Sequence, residues 1–265
     1  MPTRTPYEQT QLARHGIRNQ ELADDPDAPV EYITEKCEAS GLIFTVTPDT
    51  LIPRIETESL VELSLESLRR IIENTSDTQT IYLLDVGTGS GYVGITIAKK
   101  LADEYPNLTI QLILSDISAE ALSVALLNAR VLLQESTNKS KVTFKVIHSD
   151  LLQSIEKRPF HLITANLPYI PSDRIETLDA SVKDFEPTKA LDGGRDGLDL
   201  IVRLLEQIPG FLERSGSVWL EVDHTHSEEV FDTALQKHGV DSSQYTFTFL
   251  SDEFGNNRFV ECRLR

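Results

Sequence analysis

Apolar residues from position 80 onward fall into two alternating patterns. Short, nearly continuous apolar runs are typical of buried strands, whereas apolar residues that recur every three or four positions are typical of amphipathic helices. Their alternation predicts βαβ units, and therefore an α/β fold whose last two strands form an antiparallel pair. The predicted strands are Ile81–Val86, Thr109–Ser115, Val142–Ile147, Phe160–Ala165, Ser217–Val222, Tyr245–Leu250 and Arg258–Arg263, and the predicted helices are Gly91–Asp103, Ala119–Gln134, Leu198–Leu212 and Ser227–His238.

The first 79 residues follow a different pattern and divide into two parts. We expect residues 1–40 to be a short, polar and partly helical segment, because they contain the breaker Asp24–Pro29 and too few apolar residues for a core. We expect residues 41–79 to form a β-hairpin and a connecting helix, ahead of the main domain at 80–265. The predicted elements are helices at Tyr7–Leu22, Val30–Ala39 and Thr57–Glu73, extended pieces at Leu42–Val46 and Thr50–Ile52, and a polar linker at Asn74–Gln79.

Composition narrows the class of protein. A chain of 265 residues with 40% hydrophobic content is consistent with one soluble domain. Its net charge of −17 disfavours nucleic acid as a partner, since such binding depends on Lys and Arg contacts to phosphates. No apolar run approaches the ~18 residues of a membrane span, and residues 1–27 do not resemble a secretory signal. We therefore expect a cytoplasmic monomer. We expect no metal, because His224 and His226 would face opposite ways on an extended chain.

A glycine-rich turn follows the first predicted strand of the main domain. Alternate glycines at Gly87, Gly89 and Gly91 allow a tight turn and let a ligand lie directly on the backbone. Tyr92 occupies the position of the sixth-place glycine of a dinucleotide fingerprint, and no phosphate-loop lysine follows. A GxGxG turn preceded by an acid is the pattern of S-adenosylmethionine-binding methyltransferases, which makes S-adenosylmethionine the expected cofactor. The expected cofactor-binding residues in this turn are Asp85, Gly87, Thr88, Gly89, Ser90 and Gly91.

Two further acids stand at the ends of the next strands. Asp116 could accept hydrogen bonds from a ribose diol, or could cap the helix that follows it. Asp150 could accept from an adenine amino group, with Leu151 covering the base, or could simply end its strand. We assign Asp116, Ile117, Asp150 and Leu151 to cofactor binding.

The tetrad Asn166–Tyr169 follows the strand Phe160–Ala165 directly. The Asn166 carboxamide offers a planar set of acceptors and donors, and Pro168 fixes how the chain leaves the strand. Together they could grip a planar NH2 group, either a side-chain amide or the amino group of a base. Tyr169 could form a wall of that site or be ordinary core packing. Asn166, Pro168 and Tyr169 are therefore the candidate catalytic residues, and Asn166 also reaches the cofactor.

These motifs, taken together, resemble the HemK-type methyltransferases that modify a glutamine of peptide chain release factors. The resemblance extends over about residues 41–265. Beyond the glycine turn and the tetrad, it rests on the segments 44–46, 51–58, 190–198, 212–216, 220–221 and 255–260. It implies a Rossmann-like class I methyltransferase fold and transfer of a methyl group to a glutamine amide nitrogen (N5). It also implies that the Asn166 side chain and the Pro168 carbonyl hold the substrate amide, and that a release factor is the partner.

Two departures from the family pattern stand out. Leu167 replaces the first proline of the usual Asn-Pro-Pro-Tyr tetrad, which restores an N–H and loosens the backbone. About forty residues stand in place of a longer N-terminal helical domain. Two other functions remain possible: adenine-N6 methylation of DNA or RNA, and a methyltransferase-like binding module without activity.

Other residues near these motifs have open roles. Arg54 and Glu56 could contact the substrate, or could shape the cofactor mouth, and the acids there could equally belong to a helix cap. We assign Arg54, Glu56 and the whole tetrad Asn166, Leu167, Pro168 and Tyr169 to substrate binding. We expect the acid- and glycine-rich segment around 192–199 to be a flexible loop that closes over the site. Trp219 is expected to be a core residue.

Overall fold

A computed structural model describes residues 4–17, 28–74, 80–134, 141–252 and 254–265. The chain forms an α/β domain with a two-stranded hairpin near its N-terminal end. The strands are β1 (Lys36–Ala39), β2 (Leu42–Thr45), β3 (Thr80–Val86), β4 (Thr109–Asp116), β5 (Lys141–His148), β6 (Phe160–Ala165), β7 (Leu212–Glu221), β8 (Tyr245–Ser251) and β9 (Asn257–Leu264). The α-helices are α1 (Pro6–Arg14), α2 (Val30–Thr34), α3 (Glu56–Asn74), α4 (Tyr92–Glu104), α5 (Ala119–Gln134), α6 (Ala180–Lys183), α7 (Asp199–Gln207) and α8 (Glu228–Lys237).

The main sheet has seven strands in the order β5-β4-β3-β6-β7-β9-β8. Strands β3 to β7 pair in parallel, whereas β9 inserts between β7 and β8 and is antiparallel to both. The predicted sheet and its antiparallel last pair are therefore confirmed. The chain order reverses direction between β3 and β6, and ligands of α/β sheets bind at the carboxyl ends of strands at such a point. The glycine turn follows β3 and the tetrad follows β6, so the topology brings both motifs to this crevice.

Apolar side chains cover both faces of the main sheet. One cluster joins β6 and β7 to α7 and α8, and the other joins β3 and β4 to α3, α4 and α5. Trp219 belongs to the second cluster and is 2% exposed, which confirms it as a core residue. Its indole N–H donates to Ser67 Oγ on α3 at 3.0 Å. This bond satisfies the buried donor and ties α3 to the centre of the sheet.

Of the two extended pieces predicted for the hairpin, Leu42–Val46 forms β2, which ends at Thr45, but its partner is β1 and not Thr50–Ile52. The segment Val30–Ala39 is not one helix, because α2 ends at Thr34 and Glu35 adopts a left-handed conformation (φ 53°). The chain then enters β1, which pairs with β2 through a turn at Ser40 and Gly41. Thr50–Ile52 is a loop, and it belongs to the cleft described below.

Helix α7 is also shorter than predicted. It ends at Gln207, and β7 already begins at Leu212. Pro209 has no N–H with which to continue the helical hydrogen bonds, and Gly210 has a φ of 91°, so the chain turns there. Apolar residues continue through this turn, which explains why periodicity alone extended the helix.

Some predictions fall on residues that the structure does not describe. They are residues 18–22 of the helix predicted at Tyr7–Leu22, most of the breaker Asp24–Pro29 and most of the linker Asn74–Gln79. That helix is shorter than predicted, because α1 already ends at Arg14. The division at 40 and 79 stays a prediction. Among the described ranges, no helix is both long and apolar enough to cross a membrane, and no group of three or more His, Cys, Asp or Glu side chains could hold a metal.

Candidate active site

The glycine turn after β3 forms the floor of a cleft. Gly87, Gly89 and Gly91 have φ values of 67°, 54° and 84°, which side chains with a Cβ rarely adopt. A Cβ on Gly89 would meet nothing within 4 Å, so the backbone is bare there. A Cβ on Gly87 would lie 2.7 Å from Leu167 Cδ2. The glycine turn and the tetrad are therefore in direct contact.

Asp85 supports this turn from beneath. It is 2% exposed, and its carboxylate accepts from Thr88 Oγ1 at 2.6 Å, Thr164 Oγ1 at 2.7 Å and the Gly94 N–H at 3.1 Å. Burial raises its pKa to about 6, although these three donors favour the charged form. Asp85 lies at the cleft wall, as predicted for a cofactor-binding residue, but its hydrogen bonds shape the turn.

Asp116 ends β4 beside the glycine turn. One carboxylate oxygen accepts from the Gly89 N–H and the other from the Ser118 N–H, both at 2.9 Å. Ser118 caps α5, because its Oγ accepts from the Ala121 N–H at 3.3 Å, so the Asp116 carboxylate orders the turn before the helix and does not cap it. The same carboxylate lines the cleft, where its remaining lone pairs can accept from hydroxyl groups.

The far wall of the cleft follows β5. Leu151 is 6% exposed with a φ of 51°, while Ile117 opposite it is 60% exposed. Asp150 lines the cleft and accepts from Arg203 at 2.7 Å and from Gln153 at 3.2 Å, both through Oδ2. These apolar and acidic side chains are what an adenine ring with its amino group would require.

The cleft residues fit S-adenosylmethionine. The acid at the end of β4 suits the ribose, and the apolar wall after β5 suits the adenine. The bare glycine backbone leaves space for the rest of the cofactor. All the residues predicted to bind cofactor line this cleft except Gly91, which caps α4 behind it. The remaining lining residues are Asp49, Thr50, Leu51, Pro53, Arg54, Thr57, Val86, Tyr92, Val93, Ser118, Ala121, Ser149, Leu167, Pro168, Lys189, Ala190, Leu200 and Arg203.

A second pocket adjoins the cofactor cleft, and the two share a wall. Leu51, Arg54, Asn166, Leu167 and Ala190 line both. The second pocket is otherwise lined by Glu56, Tyr169, Ile170, Leu178, Val182, Leu191, Glu221 and Arg258. Half of the tetrad thus stands where the two spaces meet, while Pro168 lines only the cofactor cleft and Tyr169 only the second pocket.

The Asn166 carboxamide is held from one side. Its Nδ2 donates to Glu221 Oε2 at 3.1 Å and to Thr57 Oγ1 at 3.2 Å. The NH2 group therefore faces Glu221 and Thr57, which leaves Oδ1 as the acceptor available to a ligand. Pro168 lines the cofactor cleft, and within the described residues its carbonyl oxygen accepts none of the recorded hydrogen bonds. Two acceptors therefore flank the shared wall.

Glu221 is a functional candidate that sequence reasoning missed. It ends β7, is 1% exposed, and also accepts from Tyr169 Oη at 2.9 Å. Burial raises its pKa, while the nearby Arg258 and its hydrogen-bond donors act in the opposite direction. Tyr169 both lines the second pocket and packs on the core, so each of its two predicted roles is met in part. A charged residue inside the apolar run 218–222 was the available signal.

The segment 191–198 packs against the tetrad, and its first residue, Leu191, lines the second pocket. The Ile170 N–H donates to the Leu191 carbonyl at 3.1 Å, and the Gly193 N–H donates to the Ile170 carbonyl at 2.9 Å. A Cβ on Gly193 would lie 2.6 Å from the Pro168 oxygen, so only glycine fits. The expectation of a flexible loop closing over the site is corrected: these residues pair with the chain that continues from the tetrad.

Arg54 and Glu56 lie at the second pocket as predicted. Arg54 forms an ion pair with Glu186, whose side chain is 1% exposed and also accepts from the Ile52 N–H at 3.4 Å. The pair connects the loop before α3 to the segment after α6. Glu186 carried no sequence signal, because it lies in an irregular polar stretch.

The fold and the cleft define a class I S-adenosylmethionine-dependent methyltransferase. The family described as Methyltransferase small domain matches residues 67–182. A class I methyltransferase structure from Listeria monocytogenes superposes with a TM-score of 0.51 at 14% identity, covering 80% of this chain and 62% of that one. The human Mettl16 catalytic domain, in complex with a hairpin of the MAT2A 3′UTR, gives 0.55 at 13%, covering 85% and 76%. These likenesses concern the fold alone.

The chain belongs to the release factor glutamine methyltransferase family. It is 38% identical over 205 residues to the Koribacter versatilis enzyme of that name, covering 77% of this chain and 66% of the relative. It is 32% identical over 238 residues to the Agrobacterium fabrum enzyme, covering 89% and 74%. The human MTRF1L release factor glutamine methyltransferase is 32% identical over 208 residues, covering 76% and 58%. The matched part spans about two thirds of the length of its bacterial relatives.

Proposed function

We propose that this protein transfers a methyl group from S-adenosylmethionine to the side-chain amide nitrogen (N5) of a glutamine, in the Gly-Gly-Gln loop of a peptide chain release factor. The observation that carries the proposal is the tethered Asn166 carboxamide, with Oδ1 left as an acceptor between two pockets. Membership of the release factor glutamine methyltransferase family supports this choice of substrate.

The substrate amide requires positioning more than it requires a base. An amide nitrogen is a poor nucleophile because its lone pair is delocalised into the carbonyl group. Asn166 Oδ1 and the Pro168 carbonyl would each accept one N–H of the substrate NH2, which orients the lone pair and stabilises positive charge on the nitrogen. When bound, S-adenosylmethionine supplies the electrophilic methyl group. The nitrogen gains a methyl group and loses one proton, which passes to water.

The second pocket suits a peptide segment. Its lining is apolar on one side, with Leu178, Val182 and Leu191, and carries Arg54 and Arg258 on the other. Guanidinium groups can donate to peptide carbonyl oxygens, and the apolar side can cover aliphatic carbon atoms. A glutamine side chain entering here reaches the shared wall at Asn166.

Methyl transfer to purified release factors is the direct test. Labelled S-adenosylmethionine is incubated with each factor, and the product is mapped by mass spectrometry. We expect one methyl group on the loop glutamine, and none on a factor whose glutamine is replaced by alanine. Absence of label, with S-adenosylhomocysteine binding demonstrated by calorimetry, would refute the proposed substrate. Label on a DNA or RNA oligonucleotide instead would favour adenine-N6 methylation.

Replacing Asn166 with alanine tests the proposed chemistry. Removal of one preorganised group at the reacting atom typically lowers kcat by roughly 10²–10³-fold, and we expect a loss of that size. Affinity for S-adenosylhomocysteine should change only a few-fold, because the rest of the cleft is intact. The matched control is Asn74→Ala on the exposed end of α3, where Nδ2 donates to the Arg70 carbonyl. An Asn166→Ala protein that methylates at the parental rate would rule out the mechanism.

A further inference from the structure

The carboxylate of Glu221 collects three hydrogen bonds at the shared wall. Oε2 accepts from Thr57 Oγ1 at 2.8 Å and from Asn166 Nδ2 at 3.1 Å, and Oε1 accepts from Tyr169 Oη at 2.9 Å. The donors come from α3 and from both ends of the tetrad. Since Glu221 is 1% exposed, water does not compete for these bonds.

The donors and acceptors of these hydrogen bonds can be assigned in only one way. A carboxylate only accepts, so the group of Asn166 that faces it must be the NH2. Thr57 reinforces the choice, because its hydroxyl proton is directed at Glu221 and its oxygen is therefore left to accept from Asn166 Nδ2 at 3.2 Å. With the NH2 group held on that side, the Asn166 oxygen is the group that points away from Glu221. Without the carboxylate, the two orientations of the amide would differ little in energy.

We propose that Glu221 is a positioning residue, which acts on Asn166 directly and also through Thr57 to keep Asn166 Oδ1, and not Nδ2, facing the substrate amide. The role rests on the proposed function, because the orientation matters only if the ligand presents an NH2 group. A flipped Asn166 would set its own N–H donors against those of the substrate. The acceptor that orients the reacting nitrogen would then be lost, while the cofactor cleft stayed unchanged.

Three substitutions separate orientation from simple packing. Glu221→Leu removes the acceptor, and Thr57→Val removes the second acceptor with little change in volume. Glu221→Gln can keep its oxygen toward Thr57 and Asn166, and place its NH2 toward the Tyr169 hydroxyl oxygen. We expect kcat to fall about 10²-fold in Glu221→Leu, by analogy with loss of a preorganised group, with a smaller loss in Thr57→Val and most of kcat recovered in Glu221→Gln.

The kinetic pattern identifies a positioning role. KM for the release factor and the Kd for S-adenosylhomocysteine should stay within about threefold in folded variants, because neither pocket loses its shape. Glu261→Leu is the matched control: Glu261 on β9 is 9% exposed and accepts from Ser67 on the same helix α3, but lies outside both pockets. That control should lose stability and keep the parental kcat. Parental kcat in a folded Glu221→Leu protein would overturn the proposal.

A second readout does not depend on turnover. The side-chain NH2 protons of Asn166 can be followed by exchange with water in ¹⁵N-labelled protein, with the signals assigned by their loss in Asn166→Asp. We expect slow exchange in the parent and in Glu221→Gln, and at least tenfold faster exchange in Glu221→Leu. Unchanged exchange in Glu221→Leu would overturn the proposed hold on the amide. A parent protein that exchanges slowly but methylates no glutamine would instead refute the proposed function.

Discussion

Gly87 and Leu167 touch across the junction between the cofactor turn and the tetrad, and replacing Gly87 with alanine would test how closely the two motifs are coupled. The φ of 67° at Gly87 is a left-handed conformation, which costs a residue with a Cβ about 1–2 kcal/mol. The new Cβ would also lie 2.7 Å from Leu167 Cδ2, closer than normal contact between carbon atoms. Leu167 is 4% exposed and packs in the core cluster of β6 and β7, so moving its Cδ2 aside adds about 1–3 kcal/mol of overpacking. We expect Gly87→Ala to lower the free energy of unfolding by about 2–5 kcal/mol in all.

Gly89 supplies the matched control. Its φ of 54° carries the same conformational cost, but a Cβ there would meet nothing within 4 Å. Gly89→Ala should therefore lose only about 1–2 kcal/mol. Both variants are measured without cofactor, so that the comparison concerns the protein alone.

A double-mutant cycle in urea isolates the contact. Leu167→Ala removes the group that clashes, so its effect should be smaller in the Gly87→Ala background by about 1–3 kcal/mol. The parallel cycle between Gly89 and Leu167 should be additive within about 0.5 kcal/mol. Additivity in both cycles would refute the reasoning, because the cost at Gly87 would then come from its backbone conformation alone.

Two further predictions concern acids at the cleft. Because burial raises the pKa of Asp85 from 3.8 to about 6, its contribution to stability is greatest at low pH and is lost as the pH rises through 6. One pKa unit is equivalent to about 1.4 kcal/mol. The free energy of unfolding of Asp85→Asn, measured in urea relative to that of the parent, should therefore rise by up to about 3 kcal/mol between about pH 4 and pH 7. A difference that does not depend on pH would contradict the pKa shift. Asp116→Ala should weaken S-adenosylhomocysteine binding in calorimetry by roughly 10–100-fold, since a hydrogen bond to a charged group contributes about 1.5–3 kcal/mol. A Kd equal to that of the exposed control Asp173→Ala would show that Asp116 only orders the turn before α5.

The parallel core of the fold was predictable because its signals are local. Helix α5 and strand β6 have the predicted bounds, and the other strands of the main sheet are longer by a few residues at one or both ends. Short apolar runs and helical periodicity specify such elements with little help from the rest of the chain. At the end of α7, apolar periodicity and the turn residues gave conflicting signals. The periodicity predicted a longer helix, because apolar residues continue past α7, whereas Pro209 and Gly210 correctly mark the turn.

The first hairpin shows the opposite case. Strand β1 alternates buried and exposed residues over only four positions, which is too short to outweigh a helical pattern that begins in α2. Its partner β2 is held from outside the hairpin, since Asn128 on α5 accepts from the Thr45 N–H at 2.8 Å and donates to its carbonyl at 2.9 Å. Contacts over such a distance in sequence cannot be seen in local periodicity.

The site was predicted as a set of residues, and only partly as an arrangement. The tetrad, Asp116 and Asp150 are where their strand ends suggested, because topology fixes which strand ends meet. The supporting network was not predictable, since Glu221 and Glu186 act on residues far away in sequence. A single sequence gives the position of such acids along a strand or loop, but not the donors that surround them.

The wall shared by the two pockets also constrains how a turnover proceeds. Separate pockets that meet at Asn166 and Leu167 can hold both reactants at once, so a methyl group can cross directly from one to the other. The described cysteines, Cys37 and Cys262, are buried outside both pockets, and burial raises the pKa of each thiol, so neither is suited to carry the group in between. The architecture therefore favours a ternary complex and a single displacement. Double-reciprocal plots should intersect, and a chiral methyl group should arrive on the product with its configuration inverted once.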